Sequence, residues 1–182
     1  MESDAFPSVK IGSLTWAAED LRVSTFRNGD PIPLVKWKVK WFKMESAAYT
    51  LTPDGYYLYN WFAVNDPRGL APVGWHVSTD EEWEDLKDFM VEMHGGHVPL
   101  EVLLSDVAVW EGMTESEVAA LPAGYQNFIS KFYNYQGVRF WRSASGNGEN
   151  FWYCDPHPGI SKVSRLDDHC RQDGFAVRCV RD

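Results

Sequence analysis

The sequence predicts a mixed α+β domain with few helices and many short antiparallel strands. Three observations predict it. Only the segment after Thr79 combines a helix cap with a sustained apolar stripe. Elsewhere, clusters of aromatic and β-branched residues alternate with turn residues. Aromatic residues also make up 15% of the chain, with 9 Trp, 8 Tyr and 10 Phe, so rings can fill a core that has few Leu and Ile runs. The 182 residues, 45% hydrophobic and 24% charged, have the size and balance of a single globular domain spanning 1–182. That apolar content offsets chain entropy and excludes disorder as the main state.

The elements follow in chain order. Val9–Gly12 and Leu14–Trp16 form the start of a hairpin, and Tyr56–Trp61 is a β-rich run. Thr79 and Glu82 have capping-box spacing, and Asp80, Glu81 and Glu82 suit the positive end of a helix dipole. Trp83, Leu86, Met90 and Met93 then form one apolar stripe, which Gly95-Gly96 is expected to end. Further short helices are expected near Leu100–Val107 and after Thr114. Arg139–Arg142 and Phe151–Tyr153 flank a polar turn at 145–150. From Phe175 to Arg181, alternation of Phe175, Val177 and Cys179 with Ala176, Arg178 and Val180 predicts a C-terminal strand, with Cys179 facing the core.

The formal net charge of −9 is unevenly spread: residues 75–120 hold twelve carboxylates and Lys87 as their one base. This middle section is expected to be a solvated face. No basic patch suggests a nucleic-acid partner. No apolar run approaches the ~18 residues of a membrane span, so membrane insertion is not expected. The start is acidic and broken by Pro7, unlike a signal peptide. The mature chain is therefore expected to be soluble, with surface display if a leader has been removed. Three cysteines, Cys154, Cys170 and Cys179, leave one over from any pairing, so a disulfide scaffold is not expected.

Motifs for catalysis are sparse. There is no phosphate-binding glycine loop and no G-x-S-x-G elbow. His94 and His97 are read as a polar helix end rather than metal ligands. Asp167-Asp168-His169-Cys170 offers carboxylate, imidazole and thiol, but neighbours on a strand point to opposite faces, which argues against a Cys170 nucleophile. No cofactor and no metal are expected. The run from Cys154 to Asp173 instead mixes side-chain types that no single reaction requires, held between Phe151-Trp152 and Gly174–Val177. A stable frame around a varied polar loop suits recognition. The expected contacts are Tyr153, Asp155, His157, Lys162, Leu166, Asp168, His169 and Arg171. His157 lies between Pro156 and Pro158, which stiffens its loop.

Taken together, several segments resemble the Fibrobacter succinogenes major paralogous domain. They are Ile11–Arg22 (IGSLTWAAEDLR), Asp30–Pro33 (DPIP), Tyr59–Pro72 (YNWFAVNDPRGLAP), Gly74–Trp83 (GWHVSTDEEW), Leu121–Tyr125 (LPAGY) and Gly174–Asp182 (GFAVRCVRD). The resemblance runs over about 9–182, while 36–50 and 98–118 depart from the pattern. It implies a C-type lectin-like fold in the branch shared with formylglycine-generating enzymes. It also implies paired N- and C-terminal strands, a helix at Thr79 and a loop-rich ligand face in the C-terminal third. Domains of this type serve as variable proteins of diversity-generating retroelements, and 153–173 sits where their diversity falls, with Trp152, Val163 and Arg165 as frame positions. The function this implies is a non-catalytic receptor-recognition module that binds a protein or glycan on a cell surface, and for a member without an export signal the resemblance implies a phage virion or the cytoplasm as its location.

Two alternatives from the same resemblance are a formylglycine-generating-like oxidoreductase and a carbohydrate-binding lectin-like domain. The first needs a copper-binding cysteine pair, and Cys154 and Cys170 are sixteen positions apart. The second relies on calcium-ligand strings such as Glu-Pro-Asn or Gln-Pro-Asp with Trp-Asn-Asp, and none occurs here.

Overall fold

The structure is a computed structural model that describes residues 7–36, 41, 43–53, 55–93, 125–126, 132–133, 139–146, 151–155, 162–166 and 170–182. Its architecture is mixed α and β, with short antiparallel strands and few helices. Strands β1 (Ser8–Ile11) and β2 (Leu14–Ala17) form the expected hairpin, with Ile11 opposite Leu14 across a two-residue turn. Gly12 in that turn has φ +60°, a conformation that glycine adopts without steric cost.

Strands β3 (Tyr49–Leu51) and β4 (Tyr57–Tyr59) pair with each other. The expected strand through Trp61 stops at Tyr59, and Trp61 opens helix α1 (Trp61–Val64) instead. The cause is Asn60, which is fully buried. Its side-chain oxygen accepts from the Ala63 N–H at 3.0 Å and from the Ala48 N–H at 3.1 Å. An N-cap asparagine turns the chain into a helix at that residue whatever the β propensity of the aromatics around it.

Strand β5 (Trp75–Val77) precedes helix α2 (Asp80–Met93). The cap is the one the sequence predicts: the Thr79 N–H donates to Glu82 Oε2 at 2.8 Å, and the Glu82 N–H donates to Thr79 Oγ1 at 3.3 Å. The expected stop at Gly95-Gly96 and the helices near 100–107 and 114 lie outside the described residues. Strands β6 (Tyr125–Gln126) and β7 (Phe132–Tyr133) pair, and β8 (Arg139–Arg142), β9 (Phe151–Asp155) and β10 (Lys162–Leu166) form a three-stranded antiparallel sheet in the order β10-β9-β8.

The C-terminal strand is shorter than the alternation predicts. Strand β11 is Cys179–Arg181, and Phe175 and Ala176 make single bridges to Tyr59 and Trp141. β11 lies between β2 and β5 in a four-stranded sheet ordered β1-β2-β11-β5, so the strands nearest the two termini share one sheet. The in–out alternation expected for 175–181 is absent up to Val180, because this segment threads between the sheets. Phe175, Ala176, Val177, Arg178, Cys179 and Val180 are all buried. Cys179 faces the interior as expected, and burial pushes its thiol up to about 12.

Two main core clusters result. One gathers Leu21, Phe26, Tyr59, Trp61, Trp75, Val177 and Cys179. The other holds four tryptophans, and in it the Trp83 ring on α2 lies 4.9 Å from Trp16, 5.2 Å from Trp141 and 6.0 Å from Trp152. Each ring comes from a different element, so this stack ties α2 to β2, β8 and β9. A polar clamp closes the other side of α2's first turn. His76 places Nδ1 2.8 Å from Asp182 Oδ1 and Nε2 2.7 Å from Glu82 Oε1. Burial opposes charge on the imidazole, but the hydrogen bonds to Asp182 and Glu82 outweigh it and raise its pKa above the usual 6.5.

Candidate functional site

The candidate recognition face is the sheet β10-β9-β8 together with the turn at 170–173. Its register is set across three strands. Asp155 pairs with Lys162, Tyr153 with Ser164 and Phe151 with Leu166, while Trp152 pairs with Arg165 and Cys154 with Val163. On the other side of β9, Trp141 pairs with Trp152 and Phe140 with Tyr153. Strand positions alternate between faces. Positions 153, 155, 162 and 166 therefore fall on one face of the ladder, and 152, 163 and 165 fall on the other.

The frame side is anchored by carboxylates from distant parts of the chain. Trp152 is fully buried, and its indole N–H donates to Asp80 Oδ1 at 2.9 Å. Arg165 Nε lies 3.3 Å from the other oxygen of the same carboxylate. Asp80 therefore holds the paired residues of β9 and β10 at the start of α2. Its own N–H is capped by Ser145 Oγ at 2.9 Å, from the turn that follows β8. Asp20 does the same for β8. It accepts from the Trp141 indole at 2.9 Å and pairs with Arg178 Nη2 at 2.7 Å, all three side chains being buried. Arg178 in turn donates to the Ala17 carbonyl at 3.0 Å. A buried carboxylate with this many donors is compensated for its lost hydration.

Arg142 fixes the 170–173 turn. Burial lowers its pKa to about 10, so it stays charged at neutral pH. Its Nη2 donates to the Cys170 carbonyl at 3.2 Å and the Asp173 carbonyl at 3.0 Å, and the guanidinium lies 4.4 Å over the Phe175 ring. The turn closes on itself through the Asp173 N–H to the Cys170 carbonyl at 2.9 Å. Arg171 sits exposed at this turn, and its carbonyl accepts from the Trp61 N–H at 2.9 Å.

The expected contacts thus divide. Tyr153 and Asp155 lie on β9, Lys162 and Leu166 on β10, and Arg171 on the fixed turn, whereas His157, Asp168 and His169 lie outside the described residues. The sequence reading placed 153–173 in an irregular loop, and here the structure corrects it: eight of these positions, 153–155 and 162–166, lie on the paired strands β9 and β10. Varied side chains on one face hide the period of two that the frame positions keep. Sequence reasoning also missed Asp20, Asp80 and Arg142 as anchors. The available signals were a charge next to or inside an apolar run (Arg142 after Phe140-Trp141, Arg178 within Phe175–Val180) and the acid Asp20 two positions after the buried Trp16–Ala18.

Among the described residues no group of three or more His, Cys, Asp or Glu side chains is placed to hold a metal ion, and no helix is long and apolar enough to cross a membrane. The sequence profile of the Fibrobacter succinogenes major domain (Fib_succ_major) matches residues 9–181, nearly the whole chain. The chain belongs to that family. Comparisons with curated proteins and with solved structures return no match. In this member of the Fib_succ_major family, the matched span takes in both the anchors Asp20, Asp80 and Arg142 and the β9–β10 hairpin that they hold.

Proposed function

We propose that the chain is a non-catalytic ligand-binding module on a C-type lectin-like scaffold, and that its varied C-terminal surface recognises a protein or glycan on a cell surface. The observation that carries this reading is the separation of faces in the β9–β10 ladder. Tyr153, Asp155, Lys162 and Leu166 fall on one face, while the frame positions Trp152 and Arg165, held by Asp80, fall on the other. A surface built this way can change its contact residues without disturbing the anchors beneath. An aromatic, an aliphatic and charges of both signs offer several kinds of contact from one rigid patch. Pre-ordering by the Asp80, Asp20 and Arg142 contacts lowers the entropy lost on binding. The same separation suits a variable protein of a diversity-generating retroelement, in which codons for contact positions are rewritten and frame codons are kept.

The test replaces Tyr153, Asp155, Lys162, Leu166 and Arg171 together with serine or alanine. Binding is read on arrays of glycans and of bacterial surface proteins, and folding is read by thermal unfolding. The expected result is loss or redirection of binding with the melting temperature within a few degrees. Unchanged binding would overturn the proposal. The retroelement reading has its own check: a near-copy of the final coding stretch, beside a reverse-transcriptase gene and differing at adenines, is expected in the neighbouring DNA.

A further inference from the structure

We infer a second docking site, at the turn of the β1–β2 hairpin and the outer face of α2, for a basic segment of a partner protein in which Lys or Arg alternates with aliphatic residues. The site is a groove of about 330 Å³. Ile11 and Leu14 from the hairpin and Leu86 and Phe89 from the helix line it on the apolar side. Leu14 and Phe89 are only half-buried, so the groove presents apolar surface to an incoming side chain. The turn itself is small at this point, with Gly12 so close to Phe89 that an added Cβ would lie 3.2 Å from the ring.

Its rim is acidic. Asp85, Asp88 and Glu92 border the groove, and all three are exposed. They lie at i, i+3 and i+7, which brings them to one side of the helix. Among the described residues none of the three has an ion-pair partner, and Lys87 is engaged with Glu84. After Lys87 the chain supplies no Lys or Arg before Lys131, and Lys10, which precedes the lining residue Ile11, is exposed and does not line the groove. Asp88 and Glu92 also stand in the second half of the helix, whose last turn holds no base. There they face one another and the negative end of the helix dipole, an arrangement that weakens an isolated helix. A cation seated at the rim relieves both repulsions. Charge complementarity therefore selects the head of the occupant, and the apolar floor selects its neighbouring side chain. A lysine or arginine beside an aliphatic residue meets both conditions. None of the lining residues belongs to β8, β9 or β10, so this site goes beyond the recognition face proposed above and does not depend on it.

The test uses the full chain and an acetylated, amidated hexapeptide of alternating lysine and leucine, with binding read by calorimetry. The hexapeptide is expected to bind at low salt and to weaken about tenfold when screening is raised to molar salt. Asp88→Asn with Glu92→Gln should weaken binding about tenfold and leave the chain folded, with an unchanged or higher melting temperature, because both positions are exposed. Four results would overturn the inference: no binding, equal binding by the neutralised variant, equal binding of hexalysine (charge alone suffices), or full competition by spermidine at matched concentration (a small polyamine is the occupant). A fifth is self-association in sedimentation that the same two substitutions abolish, because a second copy would then be the occupant.

Discussion

Replacing Trp83 with alanine tests how the fold and the recognition face are joined. Trp83 is 3% exposed and touches three other indoles, Trp16, Trp141 and Trp152, at 4.9, 5.2 and 6.0 Å between ring centroids. A buried indole hides about 200 Å², which at about 25 cal/mol per Å² is worth about 5 kcal/mol. Measured losses for large-to-small core changes of this kind are about 3–5 kcal/mol. In a chain of this size each kcal/mol moves the melting temperature by about 2–4 °C, so Trp83→Ala should lower it by about 6–20 °C. Trp83→Phe provides the control. It keeps a ring in the stack and removes the Trp83 indole N–H, which is buried without an acceptor among the described residues. An unsatisfied donor costs about 1–3 kcal/mol, so its removal offsets part of the lost area, and Trp83→Phe should cost less than about 2 kcal/mol. The assay is far-UV circular dichroism against temperature, with near-UV spectra reporting the coupled indoles. A shift below about 3 °C for the alanine variant would show that the stack does not hold α2 to β2, β8 and β9, and the reasoning would fail.

The remaining expectations are narrower. Asp80→Asn keeps one acceptor for the Trp152 indole but removes the charge that pairs with Arg165, so it should lower stability by about 1 kcal/mol, and Asp80→Ala should cost more; equal melting curves for the two would refute the anchoring role. His76 has a raised pKa, so its contribution is fully present below its unfolded value of 6.5 and is lost as pH rises through the higher folded value. His76→Ala should therefore flatten the stability profile in that window, and an identical pH profile for both proteins would refute the clamp. Asp20→Ala leaves the Trp141 indole and Arg178 without their shared acceptor. It should destabilise by about 3–5 kcal/mol, because a buried charge loses its partner, and denaturant titration reads the loss. The Cys179 thiol, 1% exposed and pushed up to about 12, should react with a thiol-trapping reagent only as fast as the chain unfolds; rapid modification of the native chain would contradict its placement.

What the sequence by itself determined lies within a few residues. The Thr79–Glu82 box, the Gly12-Ser13 turn and the strand pair β8–β9 all follow from contacts or periodicities that short windows contain. The family resemblance was likewise carried by the order of short motifs, and the match over 9–181 agrees with it. The tertiary structure decided the rest, since distant pairings have many chemically equivalent candidates along the chain. Asp20 meets Trp141 across 121 positions and Trp152 meets Asp80 across 72, and any of the other acids could have made the same hydrogen bonds. At Trp61 the aromatic run favoured a strand, yet Asn60 bonded to Ala48 and Ala63 made it a helix start. In 175–180 a strand-like alternation met buried surroundings on both sides, so the pattern had no solvent face to report. The division of 151–166 into a contact face and a frame face also awaited the register, because a slip of one residue would exchange the two.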